Sequence, residues 1–442
     1  MTEPTAVQLR ADLEAGKITA REVTDTCLAR IAADEERVQA WQHLDPDHAR
    51  AQADALDAAK RAGRPLGALH GLPVGVKDII DTYDFPTEHG SPVFAGRRPA
   101  EDAWIVQRLR QAGAVILGKT VTTEFAAFAP GKTRNPHDVE RTPGGSSSGS
   151  AAAVAAGMVP LALGSQTNGS VIRPAAFCGT VGYKPSFGSI PRTGMLTQAS
   201  NLDHVGVFAR SLEDAGLLAQ TLFGFDPADP ATRMEAAPRL QAAAGEPLRP
   251  APRLGLTFGP ARDLAETTTV EAFQELAEHL GAQVVALQLP ASFDRALAVH
   301  RVINTAEIAY QLGLIYDRHR ELVSPQLEEL VLEGRAVSAI VYQAALAARD
   351  ELRQELHVLF REVDAILTPS AAGEAPLGLG ATGSPAFCTP WTLCGVPAIT
   401  LPILAGPGGL PMGAQLVADF HDDVRLFRVA SWLGRRVAEG EG

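Results

Sequence analysis

Three short stretches hold residues whose types and spacing could do covalent chemistry. The first, Leu72-Pro-Val-Gly-Val-Lys77-Asp78, ends an apolar run in a lysine. Lysine is rarely buried without a partner, so one reading is a strand-end lysine whose head snorkels to water. The other is a desolvated lysine, whose pKa falls from about 10.4 until it can serve as a base. The second, Gly144-Gly-Ser-Ser-Ser-Gly-Ser150, opens a small-residue helix over 151–157. A glycine-serine loop before a helix presents unpaired N–H groups and hydroxyls, although it could equally be a packed N-cap loop. The third, Gly164-Ser-Gln-Thr-Asn-Gly-Ser170, follows an apolar strand and precedes Val171-Ile-Arg-Pro174. Such a loop can aim consecutive backbone N–H groups at one point, as an oxyanion hole requires.

Two further motifs fail on context. Gly113 to Thr120 matches G-x-x-x-x-G-K-T, which would suit an ATP-binding protein. A P-loop needs a strand before its first glycine and a flexible turn between the glycines. Here a helix precedes Gly113 and the four intervening residues read as strand. Gly145-Ser-Ser147-Ser-Gly149 matches the nucleophile elbow G-x-S-x-G, which needs a strand running into the serine. Residues 134–143 are instead a polar, proline-bounded loop. A Ser/His/Asp hydrolase, with His204 as a candidate base, is therefore disfavoured.

The elements that must position these residues show in the patterning. Residues 5–42 read as one or two amphipathic helices. From residue 70, short apolar runs at 72–76, 114–117 and 159–163 alternate with helical stretches at 102–112 and 150–157. This alternation predicts an α/β fold with helices packed on a buried sheet. Strand-like runs return at 253–258, 283–287, 365–368 and 398–402, with helix across 301–361. Six prolines over 226–252 mark a surface linker or excursion, which could separate two domains or interrupt one.

Composition narrows the class. With 442 residues, 46% of them hydrophobic and 20% charged, the chain is ordinary for a globular protein. A formal net charge of −12 argues against nucleic acid or an anionic membrane surface as a partner. Cys27, Cys178, Cys388 and Cys394 are too few and scattered for a disulfide framework and read as reduced, buried thiols. The N-terminus lacks the basic and apolar regions of a signal peptide. No apolar run is long enough to span a bilayer. The expected location is cytoplasmic.

Together the three stretches resemble the amidase signature family. The resemblance is carried by G-L-P-V-G-V-K-D around Lys77, T-P-G-G-S-S-S-G-S-A-A-A-V-A-A-G at 142–157, L-G-S-Q-T-N-G-S-V-I-R-P-A-A-F-C-G at 163–179 and G-V-P-A-I-T-L-P at 395–402. It runs from about residue 5 to about 435. It implies a single α/β/α domain over 1–442 around a large mixed sheet, with a signature core at 60–215. The 226–252 stretch then becomes an excursion. The resemblance also implies a Ser–cis-Ser–Lys triad, with Ser170 as nucleophile, Ser146 as the bridging serine after a cis peptide, and Lys77 as base. Thr167, Asn168, Gly169 and Ser170 would supply the oxyanion N–H groups. Ser170 would attack an amide carbonyl, Ser146 would pass a proton to the leaving nitrogen, and water would cleave the acyl-enzyme. No metal or cofactor is implied.

The chain departs from the common pattern D-T-G-G-S-I-R-x-P. Gln166 stands where the acid does, Asn168 replaces the first glycine, and Arg173 comes one place later. The S-V-I-R-P arrangement is similar to the bacterial malonamidase branch, where the matching arginine binds a substrate carboxylate. Arg173 could do the same through its two-pronged donor geometry, or it could be a structural residue bonded to carbonyls. Asn168 would tolerate a positive φ if the loop needs one. Gly145 and Phe125 are further substrate-binding candidates. Phe125, with Phe128 and Trp391, could form an apolar acyl wall or lie in the core. Asp78 and Gln198 read as structural hydrogen-bonders, and acyl discrimination is expected within 300–345. The expected function is an amidase for small-molecule amides, extending to esters, anilides or carbamates. It would be a monomer or homodimer with no nucleic-acid or membrane partner. The alternative is an amidotransferase A-type subunit that releases ammonia from glutamine for a partner.

Overall fold

The strands form where short apolar, β-branched or small-residue runs lie between turns. They are β1 (Trp41–Leu44), β2 (Pro73–Lys77), β3 (Val115–Thr120), β4 (Leu161–Gln166), β5 (Val181–Lys184), β6 (His204–Ala209), β7 (Leu254–Leu256), β8 (Val284–Ala286), β9 (Ala365–Pro369), β10 (Ala398–Ala405) and β11 (Pro411–Val417). In the computed structural model, which describes residues 3–440, they join in one sheet. The order is β1-β3-β2-β4-β6-β5-β10-β11-β9-β7-β8. The β3-β2-β4 and β9-β7-β8 runs are parallel, and the other neighbours are antiparallel. Every residue of β2, β3 and β4 is buried. Both faces of this mixed sheet are therefore covered there, as a parallel sheet requires.

Several elements lay outside the sequence reading. They include β1, the helix Pro46–Arg61, the short helix Ile172–Cys178 and the C-terminal helix Asp423–Gly440. The 226–252 stretch is not wholly superficial. It carries the helix Leu240–Gly245, whose Leu240, Ala243 and Ala244 are buried in the main core. Their i, i+3, i+4 spacing puts them on one helix face, and the prolines around them mask that signal.

The helices Ala296–Arg318 and Pro325–Ala336 form a separate apolar cluster in which Ile308, Leu312, Leu327 and Leu330 close over Phe125. All four cysteines are free and buried. Among the described residues no single helix is long and apolar enough to cross a membrane.

Candidate active site

Strands β2 and β4 run parallel, with Val76 paired to Leu163. Their C-terminal ends therefore open on the same side of the sheet, where ligands collect in α/β folds. Lys77 closes β2 and is fully buried. Its Nζ lies 2.7 Å from Ser146 Oγ and 2.7 Å from Ser165 Oγ. Among the described residues no carboxylate comes within ion-pair distance of it. Burial drives its pKa well below the usual lysine range, against a weaker opposing pull from the charge of Asp203.

Ser146 follows a cis peptide bond from Gly145. The helix Ser148–Ala155 begins two residues later. Its N-terminus presses on the end of β3, for a Cβ on Gly149 would lie 2.2 Å from Ala40 O and 2.4 Å from Val121 N. Only glycine fits that approach. Ser147, the centre of the G-S-S-S-G match, is fully buried and spends its hydroxyl on the backbone of Ser165, donating to O and accepting from N at 3.2 Å each.

The loop after β4 carries Thr167 to Ser170. Among the described residues the amides of Thr167, Asn168, Gly169 and Ser170, the four expected to face an oxyanion, donate to no protein acceptor outside the sheet, so they can serve a ligand. Ser170 is 8% exposed, and its hydroxyl has no hydrogen-bond partner there. The Lys77–Ser146 contact is formed, whereas no hydrogen bond joins Ser146 to Ser170. Asn168 does not adopt a positive φ. Instead its Oδ1 accepts from Thr389 Oγ1 at 2.6 Å and its backbone O from Thr392 Oγ1 at 2.5 Å.

The altered acid position has a clear local use. Gln166 Oε1 accepts from the amides of Val171 and Ile172 at 2.8 and 3.0 Å, and its Nε2 donates to Thr392 Oγ1 at 2.9 Å. Glutamine thus caps the start of the following helix without adding a negative charge. Arg173 is 2% exposed and has no carboxylate partner among the described residues. Its Nη2 donates to Gly145 O at 2.6 Å and Thr382 Oγ1 at 3.2 Å, while Nε and Nη1 have no partner. Burial lowers its pKa to about 10, with Cys388 pulling the other way. The guanidinium borders the amide-bearing loop, since a Cβ on Gly169 would stand 3.1 Å from Nη1.

Other candidates are turned into the protein. Phe125, expected as part of an acyl wall, is fully buried in the apolar cluster of the 296–336 helices, and its carbonyl accepts from Gln198 Nε2 at 3.1 Å. Trp391 is likewise core. Lys119 of the P-loop match points into the protein, donating to Ile80 O at 2.7 Å beside Asp78 at 3.7 Å. Within the Gly113–Thr120 match, Val115–Thr120 is a buried strand rather than a turn that could cradle phosphates. His204 is buried and donates through Nδ1 to Leu202 O at 2.6 Å, so it orients no serine.

Ser165, which contacts Lys77 Nζ, and Asp203 and His300, which hold the hydroxyl and the carbonyl of Thr167, border the site and were missed by sequence reasoning. Ser165 could have been found, because the β2–β4 pairing places it beside Lys77. Asp203 Oδ1 accepts from Thr167 Oγ1 at 2.6 Å, and burial raises its pKa to about 6.

Residues 22–427 match the family described as Amidase. A relative from Chloroflexus aggregans, the A-type subunit of a glutamyl-tRNA(Gln) amidotransferase, is 36% identical over 94% of this chain and 93% of its own length. The same-named protein of Streptomyces coelicolor is 36% identical over 97% and 94%. Among solved structures, the peptide amidase of Stenotrophomonas maltophilia superposes with a TM-score of 0.86 at 30% identity, covering 99% of this chain and 97% of that one. These names overturn the expectation of a small-molecule substrate alone, no nucleic acid, and a monomer or homodimer. The relatives are subunits of an enzyme named for a tRNA substrate, and net charge could not reveal that, because it averages over a surface. The fold, the clustered Lys77 and Ser146 and the match across nearly the whole length agree, and the chain belongs to the amidase signature family of enzymes acting on carbon–nitrogen bonds.

Proposed function

We propose that the chain hydrolyses carboxylic amides through an acyl-enzyme on Ser170, with Ser146 and Lys77 as the proton relay. The observation that carries this reading is the buried Lys77 amine, held between two hydroxyls with no carboxylate among the described residues within ion-pair distance. A neutral amine offers one lone pair, which Ser146 can fill by donating its proton. Ser146 Oγ then accepts the proton of Ser170 as that hydroxyl attacks the carbonyl. This second link requires Ser170 and Ser146 to close to hydrogen-bond distance when substrate is bound. The amides of Asn168, Gly169 and Ser170 stabilise the developing oxyanion. The proton then returns through Ser146 to the leaving nitrogen, and water repeats the cycle on the ester.

The substrate class follows from Arg173. A buried cation with two idle donors and no counter-charge suits a carboxylate held in two-pronged fashion. The favoured substrates are therefore amides that also carry a carboxylate. Glutamine is one, and the identity to A-type amidotransferase subunits supports a second reading in which the chain releases ammonia from glutamine within an assembly. The two readings separate when the purified chain is offered glutamine and other acidic amides with no other protein present. Turnover supports the free amidase, and turnover only after partner proteins are added supports the second. In either case Ser170→Ala abolishes the reaction, and Ser146→Ala and Lys77→Ala reduce it by several orders of magnitude, about 10⁴-fold or more as for units that act together. Full activity in Ser170→Ala would sink the assignment.

A further inference from the structure

An oxyanion hole made of backbone amides works only if each N–H is aimed, and an amide's aim is fixed by the carbonyl in its own peptide plane. The peptide unit is rigid and flat, so a trans bond points its C=O and N–H in opposite directions. In the loop after β4, three successive carbonyls are each held from outside. Thr167 O accepts from His300 Nε2 at 2.9 Å, which fixes the N–H of Asn168. Asn168 O accepts from Thr392 Oγ1 at 2.5 Å, which fixes the N–H of Gly169. Gly169 O accepts from Arg173 N at 3.0 Å, which fixes the N–H of Ser170.

The third grip is ordinary helix geometry, but the first two come from far away in the chain. His300 and Thr392 lie 133 and 224 residues from the carbonyls they hold. Both are nearly inaccessible, at 2% and 1% exposure. A carbonyl can only accept, so the His300 tautomer carries its proton on Nε2. Burial keeps the ring neutral near pH 7, with its pKa lowered to about 4. A buried imidazole is costly unless it is hydrogen-bonded, and the bond that His300 makes here is the one to Thr167 O.

We infer that His300 and Thr392 are positioning residues that aim the amides of Asn168 and Gly169 at the reacting carbonyl, with Asp203 anchoring the loop through the Thr167 hydroxyl. This rests on the reading of Ser170 as nucleophile. Neither residue touches substrate, and each acts through the peptide plane it grips.

The test uses the full chain and a fluorophosphonate, which esterifies a serine nucleophile while its phosphoryl oxygen occupies the oxyanion site. In the wild type, peptide mass mapping should place the adduct on Ser170, and an adduct elsewhere overturns the underlying reading and this inference together. His300→Leu and Thr392→Val should lower kinact by about tenfold to a hundredfold, the scale on which small misplacements act, with KI unchanged. His300→Gln and Thr392→Ser keep a donor and should recover most of that loss. With the adduct on Ser170, kinact equal to wild type in both truncations overturns the positioning role alone. So does a loss confined to KI, or donor-retaining variants as slow as the truncated ones. If His300→Leu does not fold, as judged by circular dichroism, the Thr392 pair decides.

Discussion

At the scale of single residues, the site is built from charges placed or withheld. Among the described residues no carboxylate lies within ion-pair distance of Lys77 or of Arg173, and Gln166 caps the amides of Val171 and Ile172 without adding a charge. Arg173 thereby bears the full cost of desolvation, and a carboxylate on the substrate would offset it. Losing one partner of a buried, hydrogen-bonded charge pair costs about 2–5 kcal/mol, so kcat/KM of Arg173→Met on acidic amides should fall by at least about thirtyfold. Matched neutral amides should lose much less. The check is the ratio of kcat/KM between an acidic amide and its neutral analogue, and an unchanged ratio would assign Arg173 a structural role only, through Gly145 O and Thr382.

At the scale of elements, the parts of the site that lie on adjoining strands were legible in the sequence. The apolar run ending in Lys77, the strand into the 164–170 loop and the small-residue helix at 148–155 each announce themselves through local pattern, and β-pairing brings them together. The supports from afar were not legible. His300 sits mid-helix and Thr392 in a six-residue helix, Thr389–Cys394, and nothing in their neighbours' periodicity says that they reach the loop after β4. Phe125 misled for a related reason, since an aromatic near a motif reads the same whether it faces ligand or the 296–336 helices. The helix at 148–155 also gives a prediction. A side chain at Gly149 must collide with the backbone of Ala40 and Val121, so Gly149→Val should destabilise the fold by about 1–3 kcal/mol and move Ser146 with it. Urea denaturation and the rate of Ser170 labelling together check both effects, and a variant as stable and fast as wild type would refute the close-packing account.

At the scale of the whole molecule, the sheet buries more lysine than the proposed proton relay uses. Lys184 is fully buried and among the described residues bonds only to carbonyls, Pro185 O at 3.1 Å and Val396 O at 2.6 Å. Burial lowers its pKa from 10.5 to about 7, and that of Lys119 from 10.5 to about 8. Between those values and 10.5 the unfolded chain binds more protons than the folded one, so stability rises with pH. Above about 9 the buried thiols of Cys27, Cys388 and Cys394, raised from 9.0 to about 12, act in the opposite sense. The melting temperature should therefore climb from pH 7 to 9, and Lys184→Met should flatten the climb. A flat or falling wild-type profile over that range would contradict the burial of neutral lysines.

The long helix Ala296–Arg318 has a role in how such an enzyme can change over time. It belongs to the stretch where acyl preference was expected to vary, yet through His300 it also grips the loop that carries Ser170. On the positioning role inferred for His300, and with acyl preference expected in this stretch, turnover and substrate choice would be linked in one exchangeable part. On that inference, transplanting residues 296–359 from a relative to borrow its specificity would carry the rate penalty of a misaimed amide, unless the donor segment brings its own hydrogen-bond donor to the His300 position.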